Sequence, residues 1–239
     1  MTNSEPSATV STLNDTLRQL DIREGETSQI SDAEADFLFR FVREHKSEST
    51  LEVGCGLGKS AVSIMLGTGR THTVVDPFQD NYESRGLANI QRAGLSDRLV
   101  FLPEYSRSAL PRLLESGARF DFVFIDGSHR FDDIFVDFYY SDLLLSPGGF
   151  ILFDDLWMRT ARLVLAFIRS NRRDYSLVPG APRTIAVVQK TSGDNRDGMY
   201  HREFYTPRSL VSHHAVSWLA NGDSSLKTVA RRLKSVVYR

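Results

Sequence analysis

Leu51-Glu52-Val53-Gly54-Cys55-Gly56-Leu57-Gly58-Lys59-Ser60 is the stretch on which the fold turns. It ends a strand-like run and opens a helical pattern. Its glycines let the main chain bend sharply and approach a ligand, and the helix start offers free N–H groups. A phosphate-binding P-loop needs Gly, four residues, then Gly-Lys-Ser, and counting back from Gly58 puts Val53 where the first glycine should stand. That reading fails. A dinucleotide loop needs G-x-G-x-x-G, but Lys59 occupies the third glycine's place, which weakens that reading and leaves it open. The pattern the stretch does fulfil is E-x-G-x-G-x-G, through Glu52, Gly54, Gly56 and Gly58.

Working outward, short apolar runs alternate with helical patterns. TLEVG, HTVVD, RLVFL, FDFVFID and GGFILFD are rich in β-branched or aromatic residues and bounded by turn residues. Helices are expected to begin near Lys59, Tyr82, Ser108, Phe131 and Met158. Right-handed crossovers then place the C-terminal ends of five parallel strands along one edge, where ligands bind. YSLVP and RTIAVVQ follow, joined by a turn containing Gly-Ala-Pro that suits an antiparallel pair. Upstream, Ser31 and Glu34 form a capping box that predicts a helix through Phe37, Leu38, Phe41 and Val42.

The 239 residues, 41% of them hydrophobic, fit a single α/β domain. A formal charge of -1 offers no bulk field for nucleic acid or an acidic membrane. The single cysteine, Cys55, excludes an internal disulfide, the first residues lack a secretory leader pattern, and a reducing cytoplasm is the expectation. No apolar run approaches the ~20 residues that span a bilayer. The domain reading is a flexible or weakly packed segment 1–30, a ligand-binding domain 31–190 and a basic helical extension 191–239. From Lys190 to Arg239 there are nine basic and four acidic residues. Leu226, Val229, Leu233 and Val236 recur there at helical spacing among Lys227, Arg231, Arg232 and Lys234. Such a helix suits packing on the domain, contact with a partner in a homodimer, or peripheral contact with an anionic membrane. His201, His213 and His214 lack metal-ligand spacing.

With Glu52, Gly54, Gly56 and Gly58 in place and Asp76 closing the next strand, the chain resembles the class I S-adenosylmethionine-dependent methyltransferases. The resemblance covers roughly residues 30 to 190. It implies a Rossmann-like seven-stranded sheet, mostly parallel with an antiparallel last strand and helices on both faces. It also implies that Glu52, Gly54, Cys55, Gly56, Gly58 and Ser60 hold the amino acid part of S-adenosylmethionine. Asp76 would accept hydrogen bonds from the ribose hydroxyls, and Tyr105 and Ser106 would meet the adenine, with Glu104 as an alternative to Tyr105. The plainer reading is a tight turn at the glycines and a helix cap at Asp76.

The fourth strand ends Phe124-Ile125-Asp126-Gly127-Ser128-His129 and the fifth Phe153-Asp154-Asp155, so three carboxylates and an imidazole converge on one edge. Carboxylates so close repel, and a hard divalent cation relieves them. This resembles the metal-dependent O-methyltransferases of the catechol and antibiotic sugar types. The resemblance implies Asp126, Asp154 and Asp155 as ligands of Mg²⁺, Asp126 also touching the cofactor, and His129 as the base that takes the acceptor's proton. Asp133 is placed to orient His129, and Trp157 and Met158 to shape the acceptor pocket. Without metal, Asp126 and Asp154 cap helices or contact substrate, and His129 caps a helix. The expected reaction is methyl transfer to a hydroxyl oxygen of a small molecule, a sugar or secondary metabolite. A nicotinamide-dependent oxidoreductase and a non-catalytic binding protein on this fold are the alternatives.

Overall fold

The computed structural model describes residues 9–202 and 204. Seven α-helices and seven strands follow in chain order: α1 (Val10–Leu17), α2 (Asp32–Glu44), β1 (Thr50–Val53), α3 (Lys59–Thr68), β2 (His72–Val75), α4 (Arg85–Arg92), β3 (Leu99–Leu102), α5 (Ser106–Glu115), β4 (Phe120–Ile125), α6 (Phe131–Leu144), β5 (Leu145–Phe153), α7 (Arg159–Asn171), β6 (Tyr175–Val178) and β7 (Ala186–Lys190). The sheet order is β3-β2-β1-β4-β5-β7-β6. Its central pairs are parallel, and β7 runs antiparallel to both β5 and β6. All seven expected strands are present, and the last of them is the reversed one.

Burial alternates with the two-residue period of a strand. Val123 and Ile125 turn to the side covered by α5, α6 and α7, where Leu110, Ile134, Phe138 and Val164 close the core. Phe122 and Phe124 face the other side, under Ala35, Leu38, Phe41 and Val42 of α2. Each fully buried phenylalanine contributes roughly 1.5–3 kcal/mol, which makes this two-sided sheet the main source of stability. The expected capping box is complete: Ser31 accepts from the Glu34 N–H, and Glu34 accepts from the Ser31 N–H. The second crossover helix begins at Arg85 instead of Tyr82, because Glu83 and Ser84 are left-handed (φ 54° and 56°) and end a 3-10 turn first.

Of the segment before residue 31, residues 9–30 are described, and several of them are tied to the domain. Leu13, Leu20 and Ile30 are buried. The Asp21 N–H donates to buried Asn89, and Glu26 forms a two-pronged ion pair with Arg85. The compact unit ends at Tyr200, so His213, His214 and the Leu226–Arg239 helix expected from sequence lie outside the described residues. No helix among the described residues is long and apolar enough to cross a membrane.

One core contact links stability to pH. Asp137, 1% exposed on α6, hydrogen-bonds Ser106 in the first turn of α5, yet its Oδ1 and the Ser141 hydroxyl one turn on have no partner. Burial pushes its carboxyl up to about 6, against the Ser106 bond and with some help from Asp133. A carboxyl raised in the folded state favours folding below its ordinary pKa, and that contribution disappears as pH climbs to about 6. The loss is on the order of 2–3 kcal/mol between pH 4 and 6. Asp137→Asn should therefore raise the urea midpoint at pH 7.5 by markedly more than it does at pH 4.5. An equal change at both values would contradict this account.

Candidate active site

In this strand order the sheet is extended to one side from β1 to β3 and to the other from β4 onward, and a crevice opens outside the C-terminal ends of the parallel neighbours β1 and β4, where that order switches. The ladder continues one step past each strand: the N–H groups of Gly54, Asp76, Asp126 and Asp154 donate to Val75, Leu102, Val53 and Ile125. Those four loop starts are thereby fixed side by side around a cavity of about 830 Å³. Loop residues after β1, β2, β3, β4 and β5 line it, together with Thr27 to Ile30, which precede α2 in the chain. The sequence assigned these four residues no chemistry.

The glycine loop is shaped by its own neighbours. Gly54 has φ +96°, and a Cβ there would lie 2.2 Å from the Asp126 carbonyl oxygen. At Gly56 it would lie 2.6 Å from the Ser28 carbonyl oxygen. The main chain of β4 and of the 27–30 strap can approach only because these side chains are absent. Asp76, 4% exposed, accepts from the N–H groups of Cys55 (2.8 Å), Gly56 (3.2 Å) and Phe78 (2.6 Å), so it pins the loop from below while lining the cavity.

Glu52, expected at the cofactor, is fully buried under the loop and does not line the cavity. It accepts from Ser60 Oγ and pairs with His72 Nε2 at 2.8 Å, and His72 Nδ1 meets Thr50 Oγ1 at 2.8 Å. Its work is to anchor the first turn of α3. Gly58 is likewise off the wall, whereas Gly54, Cys55, Gly56 and Ser60 are on it. The Cys55 thiol is pushed well above its usual pKa by burial and by Glu52 and Asp76, which makes it an inert packing group.

Beyond β3, Tyr105 and Ser106, the residues expected to meet the adenine, line the cavity. Tyr105 stands edge-on to Phe78 with ring centres 5.6 Å apart, and the Arg107 guanidinium lies 4.0 Å over its ring. Glu104 is taken by Arg112 through two 2.6 Å hydrogen bonds, which leaves Tyr105 as the residue facing the space.

At the ends of β4 and β5, Asp126, His129 and Asp155 each bring one ligand-capable atom within 4.8 Å of the others. His129 Nε2 lies 2.6 Å from Asp155 Oδ2, and the Trp157 indole N–H donates to Asp155 Oδ1 at 2.6 Å. Asp155 is left-handed at φ 57°, a bend that aims its carboxylate back at His129. Burial and the charges of Asp154 and Asp155 raise the Asp126 carboxyl well above the usual range. Burial, then Glu34 and Asp155, push Asp154 up to about 7, and its Oδ1 has no partner.

Three placements differ from the sequence reading. Asp154 stands beside the three-residue cluster instead of within it, and His129 is inside it. Asp133 binds Ser128 and Arg130, so Asp155 is the residue that orients His129. Glu34, seen in sequence only as a cap, is close enough to act on the charges of Asp126 and Asp154, while its side chain is held by Thr184. No local sequence signal marks that last role, because α2 reaches the site across the sheet.

Residues 51–156 match the family profile of a methyltransferase domain. Caffeoyl-CoA O-methyltransferase 1 of Eucalyptus globulus is 30% identical over 130 residues, 52% of this chain and 51% of the relative. Caffeoyl-CoA O-methyltransferase of Populus kitakamiensis is 31% identical over 131 residues, 52% of this chain and 54% of the relative. The chain thus spans about half the length of these relatives. Among solved structures, the O-methyltransferase from Bacillus cereus in complex with SAH superposes with a TM-score of 0.62 at 20% identity, covering 75% of this chain and 91% of that one. TomG from Streptomyces achromogenes in complex with SAM gives 0.60 at 17% identity, covering 77% and 89%. The match over residues 51–156, the reversed seventh strand and the glycine loop pinned by Asp76 together mark a methyltransferase-like domain on the seven-stranded α/β fold that these solved structures share.

Proposed function

We propose that this chain transfers a methyl group from S-adenosylmethionine to a hydroxyl oxygen of a small molecule, a sugar or secondary metabolite, with His129 as the base and a divalent metal, Mg²⁺, at the carboxylates. The observation that carries the reading is the Asp126, His129 and Asp155 cluster standing beside the glycine loop on one cavity. The names of the relatives, O-methyltransferases throughout, support an oxygen acceptor.

The residues fit both groups. Burial first, and then the charges of neighbouring carboxylates, raise Asp126 and Asp154, and a hard cation with oxygen ligands suits such a set. When bound, the cofactor supplies an electrophilic methyl, and a cation held by Asp126, Asp154 and Asp155 lowers the pKa of an acceptor hydroxyl. This chain's residues do the remainder. Asp155 accepts from His129 Nε2, which leaves Nδ1 as the proton acceptor. The indole N–H of Trp157 holds Asp155 from the other side, so the imidazole keeps its direction as charge develops. The exposed face of Trp157, 63% accessible, offers a flat apolar wall to the acceptor. A second arrangement is favoured by the 4.8 Å grouping itself, in which His129 is a metal ligand together with Asp126 and Asp155.

Calorimetry with S-adenosylhomocysteine and with NAD, followed by methyl transfer to hydroxylated small molecules with and without EDTA, tests the reading. The expected result is binding of S-adenosylhomocysteine alone and transfer that EDTA abolishes and Mg²⁺ restores. Binding of NAD in its place would replace the reading with an oxidoreductase, and EDTA-resistant transfer would remove the metal.

A further inference from the structure

Lys59 is the cation of this cavity that pays most for its position. Its side chain is 9% exposed, its Nζ lies 2.7 Å from Asp32 Oδ1, and that carboxylate belongs to a side chain 88% exposed. Taking an ammonium out of water is costly, and a pair with so exposed a partner returns little of that cost even with the Glu34 charge near by. The guanidinium groups on the wall are at the solvent: Arg107 is exposed and stacks on Tyr105, and Arg130 is exposed and paired with Asp133. Lys59 is also the first residue of α3, whose N-cap is Gly58 without a side-chain cap and whose first turn carries no acidic residue. The free N–H groups and the dipole there add positive potential beside the ammonium.

A second observation comes from the strap across the loop. Gln29 lines the same cavity, its amide N–H donates to the Glu26 carbonyl, and its buried Oε1 has no partner. The cavity lining thus combines a buried cation whose direct partner is a solvent-exposed carboxylate and an orphan acceptor that lacks a donor. A zwitterionic amino acid end presents both an anion and a donor. We propose that Lys59 binds the α-carboxylate of the methionyl end of the cofactor, and that Gln29 Oε1 accepts a hydrogen bond from its α-ammonium. This rests on the reading that the cavity holds S-adenosylmethionine.

The test compares two ligands of the full chain by calorimetry: S-adenosylhomocysteine, and 5′-methylthioadenosine, which lacks the amino acid end. Lys59→Met keeps the apolar stem and removes the charge. It should weaken S-adenosylhomocysteine on the order of 10- to 100-fold and leave 5′-methylthioadenosine unchanged, the latter showing that the nucleoside site is intact. Lys59→Arg should restore most of the affinity. Asp32→Asn removes only the competing surface carboxylate and should leave S-adenosylhomocysteine as tight or tighter. Equal losses for both ligands in Lys59→Met, no loss for either, or a loss in Asp32→Asn as large as that in Lys59→Met would each overturn the proposal and show Lys59 to be a tie between α2 and α3. A wild-type chain that binds neither ligand would overturn the cofactor reading together with it.

Discussion

His129→Ala is expected to lower kcat for methyl transfer by about 10² to 10⁴ while leaving S-adenosylhomocysteine affinity within about twofold. The imidazole sits at the cavity wall, and nothing in the glycine loop depends on it: Gly54, Cys55 and Gly56 are held by Val75 and Asp76. Its own position depends on Asp155, which it meets at 2.6 Å. Removal of either partner should therefore remove the same catalytic unit. Asp155→Asn combined with His129→Ala should cost little more than the worse single variant, because groups that act together do not contribute additively. The two arrangements of the centre separate on a binding measurement. If His129 is the base, Mn²⁺ affinity measured by electron paramagnetic resonance stays close to wild type in His129→Ala. If it is a ligand, the affinity falls at least about tenfold, as loss of a ligating group requires.

The second large effect is on stability, at the opposite end of the sheet. Arg172 follows α7 with a side chain 4% exposed and donates to both oxygens of Asp174 (2.9 and 2.6 Å) and to Asp142 Oδ2 (2.9 Å). Lys190 at the end of β7 and the Tyr175 hydroxyl satisfy the other Asp142 oxygen. Burial works against the guanidinium, but the hydrogen bonds and charges of Asp174 and Asp142 outweigh it and hold its pKa above the ordinary arginine value. Arg172→Met leaves Asp174 without its cation at 3% exposure, and Lys190 compensates only at Asp142. Breaking one partner out of such a buried set costs about 3–5 kcal/mol. For a domain of this size that corresponds to a fall in Tm of roughly 6–20 °C, measurable by calorimetry. A fall of less than about 2 °C would mean that water enters and solvates the carboxylates, and that the network contributes little.

How much of this was legible depends on the length scale of each signal. The five parallel strands were readable because strands covered on both faces are continuous apolar runs, and FDFVFI and GGFILF are such runs. The late pair YSLV and AVVQK was readable because Gly180 and Pro182 break the chain between them, and the antiparallel register follows. The crevice was readable because the loop after β1 spells its own backbone requirements. What could not be read were meetings between distant segments. Asp142, Arg172 and Lys190 come from α6, the end of α7 and β7, and nothing local pairs them. The strap residues 27–30 look like a polar lead-in until Ser28 is seen against Gly56 and Leu57.

The sequence by itself determined the order of elements, the edge on which ligands bind and the residue types gathered there, because hydrophobic period and glycine placement act through neighbours in the chain. Tertiary structure alone decided which of those groups meet. It set Asp155 rather than Asp133 against His129, moved Glu52 from the cavity to its foundation, and gave Lys59 a buried place on the wall. The physical reason is that charge, burial and hydrogen bonding act over a few ångströms of space, and only the packed sheet brings residues a hundred positions apart within that range.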